Sequence, residues 1–318
     1  MTITQRNLGP SGLQVSLTGL GCNNFGGRLN LDQSREVVHA ALDEGITLFD
    51  TADVYGNRGG SEEILGELLE GERERVVLAT KFALPMNDEG TKQGASRRYI
   101  LQALHASLKR LRTDHIDLYQ LHRPDPHTPI EETLRALGDL IRQGMVRYIG
   151  CSNLPAWQVM DAHWTARSLG LEGFISCQDE YSLLVRDPQR ELLPAMQHLG
   201  LGLLPYFPLA SGLLTGKYQR GQPLPEGARL TTTPRLADRV LTDENWQTVE
   251  NLRAFAEDRG HSLLDLAFSW LAANPQVSSI IAGATSAEQV RQNVRAASWT
   301  LTPEDLTEIQ RITTPQPA

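Results

Sequence analysis

The feature that most restricts what this chain can fold into is the order of its apolar patterns. A short strand-like run is followed by a helical run eight times, with no sequence repeat beneath the alternation. The strand-like runs are 16–21, 47–50, 76–80, 116–120, 146–150, 174–177, 202–206 and 278–281. The helical runs are about 34–44, 61–69, 97–111, 130–142, 156–168, 189–199, 244–259 with 263–273, and 287–297. Ile100, Leu104, Leu108 and Leu111 recur at helical spacing, as do Ile130, Leu134, Leu137 and Ile141. Gly45, Gly144, Gly170, Gly200 and Gly260 each follow a helical run, where a left-handed residue ends a helix. Alternating strand and helix calls for a parallel α/β sheet. Eight such units call for closure into a (β/α)8, or TIM, barrel.

At 318 residues the chain exceeds the ~250 of a bare barrel by about 68. The surplus has three homes. They are an N-terminal segment, 1–15, read as a hairpin around a Gly-Pro-Ser-Gly turn, a long loop after the seventh strand (about 207–243), and the second helix of the seventh unit. That loop holds Pro223, Pro225, Gly227 and Pro234 and no helical period. Loops of this length are mostly functional or disordered. Residues 1–318 are read as one barrel domain. A doubly wound sheet is the structural alternative, but its dinucleotide fingerprint fails. Gly19 and Gly21 are followed by Asn24 where the third glycine belongs.

The charge balance, 30 basic against 38 acidic residues for a net of −8, argues against a nucleic-acid partner, which needs a basic face. Residues 1–20 lack the apolar core of a signal peptide. The uncharged stretches 199–216 and 266–287 are broken by proline, glycine or asparagine, so neither reads as a membrane span. Cys22, Cys151 and Cys177 make neither a disulfide framework nor a zinc spacing. The expectation is a cytoplasmic protein with no membrane partner and no metal site.

A barrel places its chemistry at the carboxyl ends of its strands. The second strand ends in Asp50, with Tyr55 in the loop after it; the third ends in Lys81 and the fourth in His122. The fifth ends in Ser152 and Asn153, the sixth in Gln178 and the seventh in Tyr206. Neighbouring strands lie about 4.8 Å apart, so three adjacent ends span roughly 10 Å. A carboxylate, a phenol, an ammonium and an imidazole then converge. A phenol, with an ordinary pKa of about 10, is a proton donor at neutral pH, and a nearby ammonium lowers that pKa. The carboxylate keeps the ammonium charged, and the imidazole orients or polarises a carbonyl oxygen. Together they form an acid for a developing alkoxide, as carbonyl reduction by hydride requires. No side chain supplies hydride, so a cofactor must.

At these residues the chain resembles the aldo-keto reductases, in the bacterial and potassium-channel β-subunit-like branch. The matching strings are FDTADVYGNRGGSEEILG (49–66), ATK (79–81), IDLYQLHRPD (116–125), VRYIGCSN (146–153), LPYFPLASGLLTGKY (204–218) and IIAGATSAEQVRQN (280–293). The resemblance implies a catalytic tetrad of Asp50, Tyr55, Lys81 and His122, with Tyr55 as general acid. It implies NADP(H) as cofactor, its nicotinamide amide on Ser152, Asn153 and Gln178 and its ring on Tyr206. Leu209, Gly212, Leu214 and Lys217 would line the pyrophosphate path, with Arg229 a further candidate there. Gly283, Thr285, Ser286, Gln289 and Asn293 would hold the adenosine end. Ser286 and Gln289 also form an S-x-x-Q capping pattern that opens the last of the eight helices, whose amino end attracts phosphate. Many relatives carry Arg or Lys beside the 2′-phosphate; this chain has Thr285 and Ser286, so NADPH is expected to lead NADH by a modest margin.

Each residue also has a plainer reading. Alone, Asp50 serves as a turn cap, Lys81 as a solvated strand end, His122 as a core histidine and Tyr55 as packing; their convergence favours chemistry. Arg123 is either a surface charge or the partner of a substrate anion, and it joins Asn24, Phe25, Val54 and Leu84 as a substrate-pocket candidate. The cysteines are core filler or redox-sensitive thiols. Three functions fit: NADPH-dependent reduction of a small aldehyde or ketone, a cofactor-loaded regulatory subunit with little turnover, and a Schiff-base aldolase using Lys81. A carboxylate at Asp50 raises the lysine pKa and disfavours the last.

Overall fold

The computed structural model describes residues 3–314. It opens with an antiparallel hairpin of β1 (Gln5–Asn7) and β2 (Gln14–Ser16), in the register Gln5 to Ser16. Eight parallel strands follow: β3 (Thr18–Gly21), β4 (Leu48–Asp50), β5 (Val77–Phe82), β6 (Ile116–Leu121), β7 (Val146–Ser152), β8 (Ser176–Glu180), β9 (Gly202–Tyr206) and β10 (Ile280–Gly283). Each pairs with its sequence neighbour, and β10 returns to pair with β3. A bridge between Leu203 and Val277 closes the seam from β9 to β10. There the Leu203 N–H donates to Gln276 O (2.7 Å) and the Ser278 N–H to Leu203 O (2.9 Å). This is the expected (β/α)8 barrel.

The helices are α1 (Leu31–Asp43), α2 (Tyr55–Leu68), α3 (Arg97–Leu111), α4 (Ile130–Arg142), α5 (Ala156–Ser168), α6 (Leu192–Leu199), α7 (Arg229–Thr232), α8 (Pro234–Val240), α9 (Asp243–Glu257), α10 (Leu263–Ala273), α11 (Ala287–Ala296) and α12 (Pro303–Thr313). α3, α4, α5 and α10 keep the bounds expected from periodicity. α1 begins three residues before its expected start and α6 three residues after, and three helices have no counterpart in the sequence reading. α7 and α8 fold within the long loop that shows no helical period, too short to display one. α12 follows the last barrel unit and is set by a capping box of Thr302 and Asp305 with Pro303 in its first turn. No described helix is long and apolar enough to cross a membrane.

Two apolar clusters hold the fold. The larger packs the outward strand residues against the helices. The smaller lies inside the barrel: Leu48, Ala79, Leu118, Leu204 and Ile281 from the strands, with Leu8 and Val15 from the hairpin. The hairpin thus plugs the amino-terminal mouth. It approaches so closely that a Cβ on Gly9, whose φ is +56°, would lie 2.7 Å from the Gly202 N. Side chains alternate along a strand, and two residues span about 6.7 Å. One step of two above the apolar layer therefore come Asp50, Lys81, Gln120, Tyr206 and Gly283. The barrel interior changes from an apolar floor to a polar layer at that height.

The closing seam yields a prediction. A Cβ on Gly202 would lie 2.6 Å from the Gly9 N and collide with the Ser278 hydroxyl. Gly202→Ala should destabilise by about 1–3 kcal/mol, the usual cost of overpacking. Denaturant melts check this; unchanged stability would mean the hairpin does not bear on the seam.

Candidate active site

At the centre of the polar layer the Lys81 Nζ donates to Asp50 Oδ2 (2.6 Å) and to the Thr51 carbonyl (2.8 Å). Gln120 and Gln178 both donate through Nε2 to Asp50 Oδ1, at 3.1 and 2.9 Å. The ammonium is fully enclosed and the carboxylate nearly so. Burial pulls the lysine pKa down, but Asp50 and then Tyr55 more than offset it, and the pKa lies above the ordinary value. Lys81 is a permanent ammonium here.

Tyr55 stands over this pair, with its ring centroid 5.2 Å from Lys81 Nζ. The phenol is delivered by an unusual turn. Gly56, Asn57, Arg58 and Gly59 all have positive φ, so right-handed helix in α2 begins only after them, near the expected start. Left-handed backbone is costly away from glycine. A Cβ on Gly56 would lie 2.5 Å from the Phe25 carbonyl and 2.6 Å from the Ser61 N, so the turn is packed against the loop after β3. The His122 ring meets Tyr55 edge-on, with centroids 5.8 Å apart. Burial, then the Lys81 and Arg123 charges, push its imidazole down to about 3, so it is neutral at physiological pH. The expected lowering of the phenol pKa by Lys81 is present but outweighed: burial dominates and the Tyr55 pKa lies above its ordinary value.

The next three strand ends are tied together by Asn153. This residue has φ +60° and sits just beyond β7. Its Nδ2 donates to the His122 carbonyl (3.1 Å) and to Ser152 Oγ (2.8 Å), while its Oδ1 accepts from the Tyr206 hydroxyl (2.8 Å). Ser152 Oγ in turn donates to the Gln178 carbonyl (2.8 Å).

A cleft of about 550 Å³ opens over these groups. Of the sequence-derived residues it is lined by Asp50, Tyr55, His122, Ser152, Asn153, Gln178, Tyr206, Leu209, Gly212, Lys217, Arg229, Gly283, Thr285, Gln289 and Asn293. Lys81 lies beneath the lining, held by Asp50. Leu214 is fully buried in the core and does not line the cleft. Ser286 caps α11 by accepting from the Gln289 N–H (3.3 Å). The reciprocal half of the expected capping box is absent. Gln289 Oε1 instead accepts from the N–H of Thr285 (2.9 Å), one residue before the cap. Of the substrate-pocket candidates, Asn24 and Arg123 line the cleft, whereas Phe25, Val54 and Leu84 do not. Cys151 and Cys177 are buried register partners with sulfurs 3.6 Å apart. The Cys151 thiol is pushed up by its contact with Cys177 and by burial, which disfavours a reactive thiolate.

The sequence reading missed Gln120, which binds Asp50 directly. Its signal was present, since it lies two residues before His122 on the inward period of β6. Arg28, from the loop after β3, also lines the cleft and donates to the Gly227 carbonyl of the long loop. Nothing in its spacing marks it. Asp53 was missed as well. It is 1% exposed and neither carboxyl oxygen has a partner among the described residues. Burial, and then Glu62, push its carboxyl up to about 8.

Eight parallel strands closed around an apolar floor, with an enclosed carboxylate–ammonium pair under a phenol and an imidazole, have counterparts in known sequences. The model of the aldo/keto reductase family matches residues 18–314. The chain is 40% identical over 321 residues to a probable voltage-gated potassium channel subunit beta of Oryza sativa subsp. japonica, spanning 98% of this chain and 97% of that protein. A probable voltage-gated potassium channel subunit beta of Arabidopsis thaliana is 38% identical over 321 residues, with the same coverage of 98% and 97%. The uncharacterized oxidoreductase YrpG of Bacillus subtilis is 38% identical over 309 residues, spanning 94% of this chain and 92% of its own. The chain belongs to the aldo/keto reductase family.

Asp53 gives a pH prediction. In the fold its carboxyl titrates at about 8. In the unfolded chain it ionises near the ordinary value of about 4. Folding therefore takes up a proton between these values, and the stability this group contributes falls as pH rises through that window. Asp53→Asn removes the ionisation. Its melting temperature should gain on the wild type between pH 5 and pH 9; an equal gap at both pH values would contradict the assignment.

Proposed function

We propose that this chain is an NADPH-dependent oxidoreductase that reduces aldehyde and ketone carbonyls to alcohols, with residues 1–318 forming one barrel domain. The observation that carries the reading is the Asp50–Lys81 pair enclosed directly beneath Tyr55 and His122. The rest of the cleft suits a dinucleotide. Arg28, Lys217 and Arg229 line one stretch of it, and Ser211, also in the lining, has a buried hydroxyl with no partner among the described residues. Thr285, Gln289 and Asn293 line the end where α11 begins and would take the adenosine, its helix dipole favouring a phosphate. Ser152, Asn153 and Gln178 would hold the nicotinamide amide, with Tyr206 against the ring, while Leu209, Gly212, Lys217 and Arg229 would flank the pyrophosphate.

When bound, the reduced nicotinamide would supply hydride to the carbonyl carbon. The chain's own residues supply the proton. Tyr55, protonated at neutral pH because burial holds its pKa up, gives its hydroxyl proton to the carbonyl oxygen. Lys81 stabilises the phenolate left behind, and Asp50 keeps Lys81 charged. His122, neutral, polarises the same oxygen through an N–H. In the reverse direction Tyr55 is the base. The raised Lys81 pKa is the opposite of what a Schiff-base amine needs, which weighs against the aldolase.

The names of the plant relatives favour a second reading, a cofactor-loaded regulatory subunit with little turnover. The two separate on NADPH consumption with an electron-poor aromatic aldehyde. A reductase turns over, and Tyr55→Phe lowers kcat by at least about 100-fold, the low end for a general acid. Tight NADPH binding without turnover would favour the subunit. The cofactor choice is tested by direct titration: NADPH should bind more tightly than NADH, and the reverse order would overturn it.

A further inference from the structure

Four cationic side chains line the cleft: Arg28, Arg123, Lys217 and Arg229. Among the described residues one carboxylate lines it, Asp50, and that one is taken up by Lys81, Gln120 and Gln178. Among the described residues none of the four cations is ion-paired. In a chain of net charge −8 this is a concentrated positive field inside one concavity.

The four fall into two groups. Arg28, Lys217 and Arg229 line the cleft within reach of one another's charge. Burial and the charges of the two arginines pull the Lys217 pKa down, and burial and Arg28 do the same to Arg229. This group faces the stretch assigned above to the pyrophosphate. Arg123 stands apart. It directly follows His122, and its charge is felt by His122 and by Tyr206 at the carbonyl end of the cleft.

The loop that carries Arg123 is tied down. The Asp125 carboxylate, two residues on, accepts from the Ala95 N–H (2.7 Å), the His127 N–H (2.9 Å) and the Thr128 hydroxyl (2.7 Å). These bonds fix the loop that follows β6. The residue is exposed, and among the described residues its guanidinium has no hydrogen-bond or ion-pair partner. An unpaired fork of donors that lines the same cleft as the proton-donating phenol is suited to a planar monoanion, because Arg and carboxylate match in bidentate geometry.

We propose that the substrate is a carbonyl compound that also carries a carboxylate, an aldehyde acid or keto acid, and that Arg123 binds that carboxylate while Tyr55 meets the carbonyl. This rests on the carbonyl-reductase reading of the cleft. Arg123 is then a specificity-determining residue, and the cofactor group of cations is left to the dinucleotide.

The test compares 4-formylbenzoate with its methyl ester at saturating NADPH, in wild type, Arg123→Met and Arg123→Lys. The wild type should favour the carboxylate by at least fivefold in kcat/KM, mainly through KM, and this preference should weaken as salt screens it. Arg123→Met should bring the ratio to about one, with Arg123→Lys in between. Because Arg123 is exposed, these variants should fold. A second readout needs no turnover: calorimetric binding of 4-(hydroxymethyl)benzoate to protein saturated with NADP+ should weaken at least fivefold in Arg123→Met. Reduction of the ester with no preference for the carboxylate, or a preference that survives Arg123→Met, overturns the proposal while leaving the reductase reading intact. Arg123-dependent binding without reduction of either aldehyde supports the anion site and sinks the reductase reading instead. Neither reduction nor binding overturns both.

Discussion

An ammonium with no access to water is tolerated only when something returns what desolvation costs, and at Lys81 that is Asp50. Removing one partner of such a pair commonly costs about 3–5 kcal/mol, because the other charge is left buried and alone. The pair is heavily bonded: the carboxylate takes one bond from Lys81 and one each from Gln120 and Gln178, and the ammonium donates a second bond to the Thr51 carbonyl. Four strands, β4, β5, β6 and β8, are joined through a single carboxylate. Everything the cleft is proposed to do depends on that charge being permanent and stationary. Tyr55 has a cation beside it, and Gln178 is turned by its bond to Asp50 so that its amide is fixed at the cleft wall.

The barrel supplies the conditions for this pair. Below it lies an apolar layer, and below that the hairpin residues Leu8 and Val15 seal the mouth. Water is therefore excluded from the underside, which strengthens the electrostatic interactions above it. The same exclusion explains the titration pattern. Burial raises the pKa of Tyr55 and lowers that of His122, so both are uncharged at neutral pH, one holding its proton and the other unable to gain one. Lys81 carries the fixed positive charge beneath them.

Much of this was legible in the sequence, for physical reasons that differ by residue. Asp50, Lys81 and His122 could be placed because parallel strands are short and a polar residue ending an apolar run marks the end of the strand. Arg97–Leu111 and Ile130–Arg142 were readable to the residue because their apolar periods are long. Gln120 closes the expected run 116–120, but the functional end of that strand was taken to be His122, so the inward residue two places earlier was passed over. Asp53 looked like one more polar residue in a turn; its burial comes from packing between elements distant in sequence. α7 and α8 are too short to show a period, and the bond from Arg28 to the Gly227 carbonyl joins loops after β3 and β9 that only barrel closure brings together. Gln289 shows the limit of a local motif. The S-x-x-Q spacing set the cap at Ser286, but the glutamine turned to the N–H of Thr285, a choice between donors that spacing does not encode.

The central claim is that a carbonyl carbon receives hydride at the floor of this cleft while Tyr55 supplies the proton. The most direct measurement is the fate of deuterium placed at both C4 positions of the reduced nicotinamide, followed by mass spectrometry of the alcohol formed from an aldehyde in ordinary water. The expected result is one deuterium on the carbinol carbon and none on the oxygen after exchange. An alcohol with no deuterium at carbon, formed at the enzymatic rate, would contradict it.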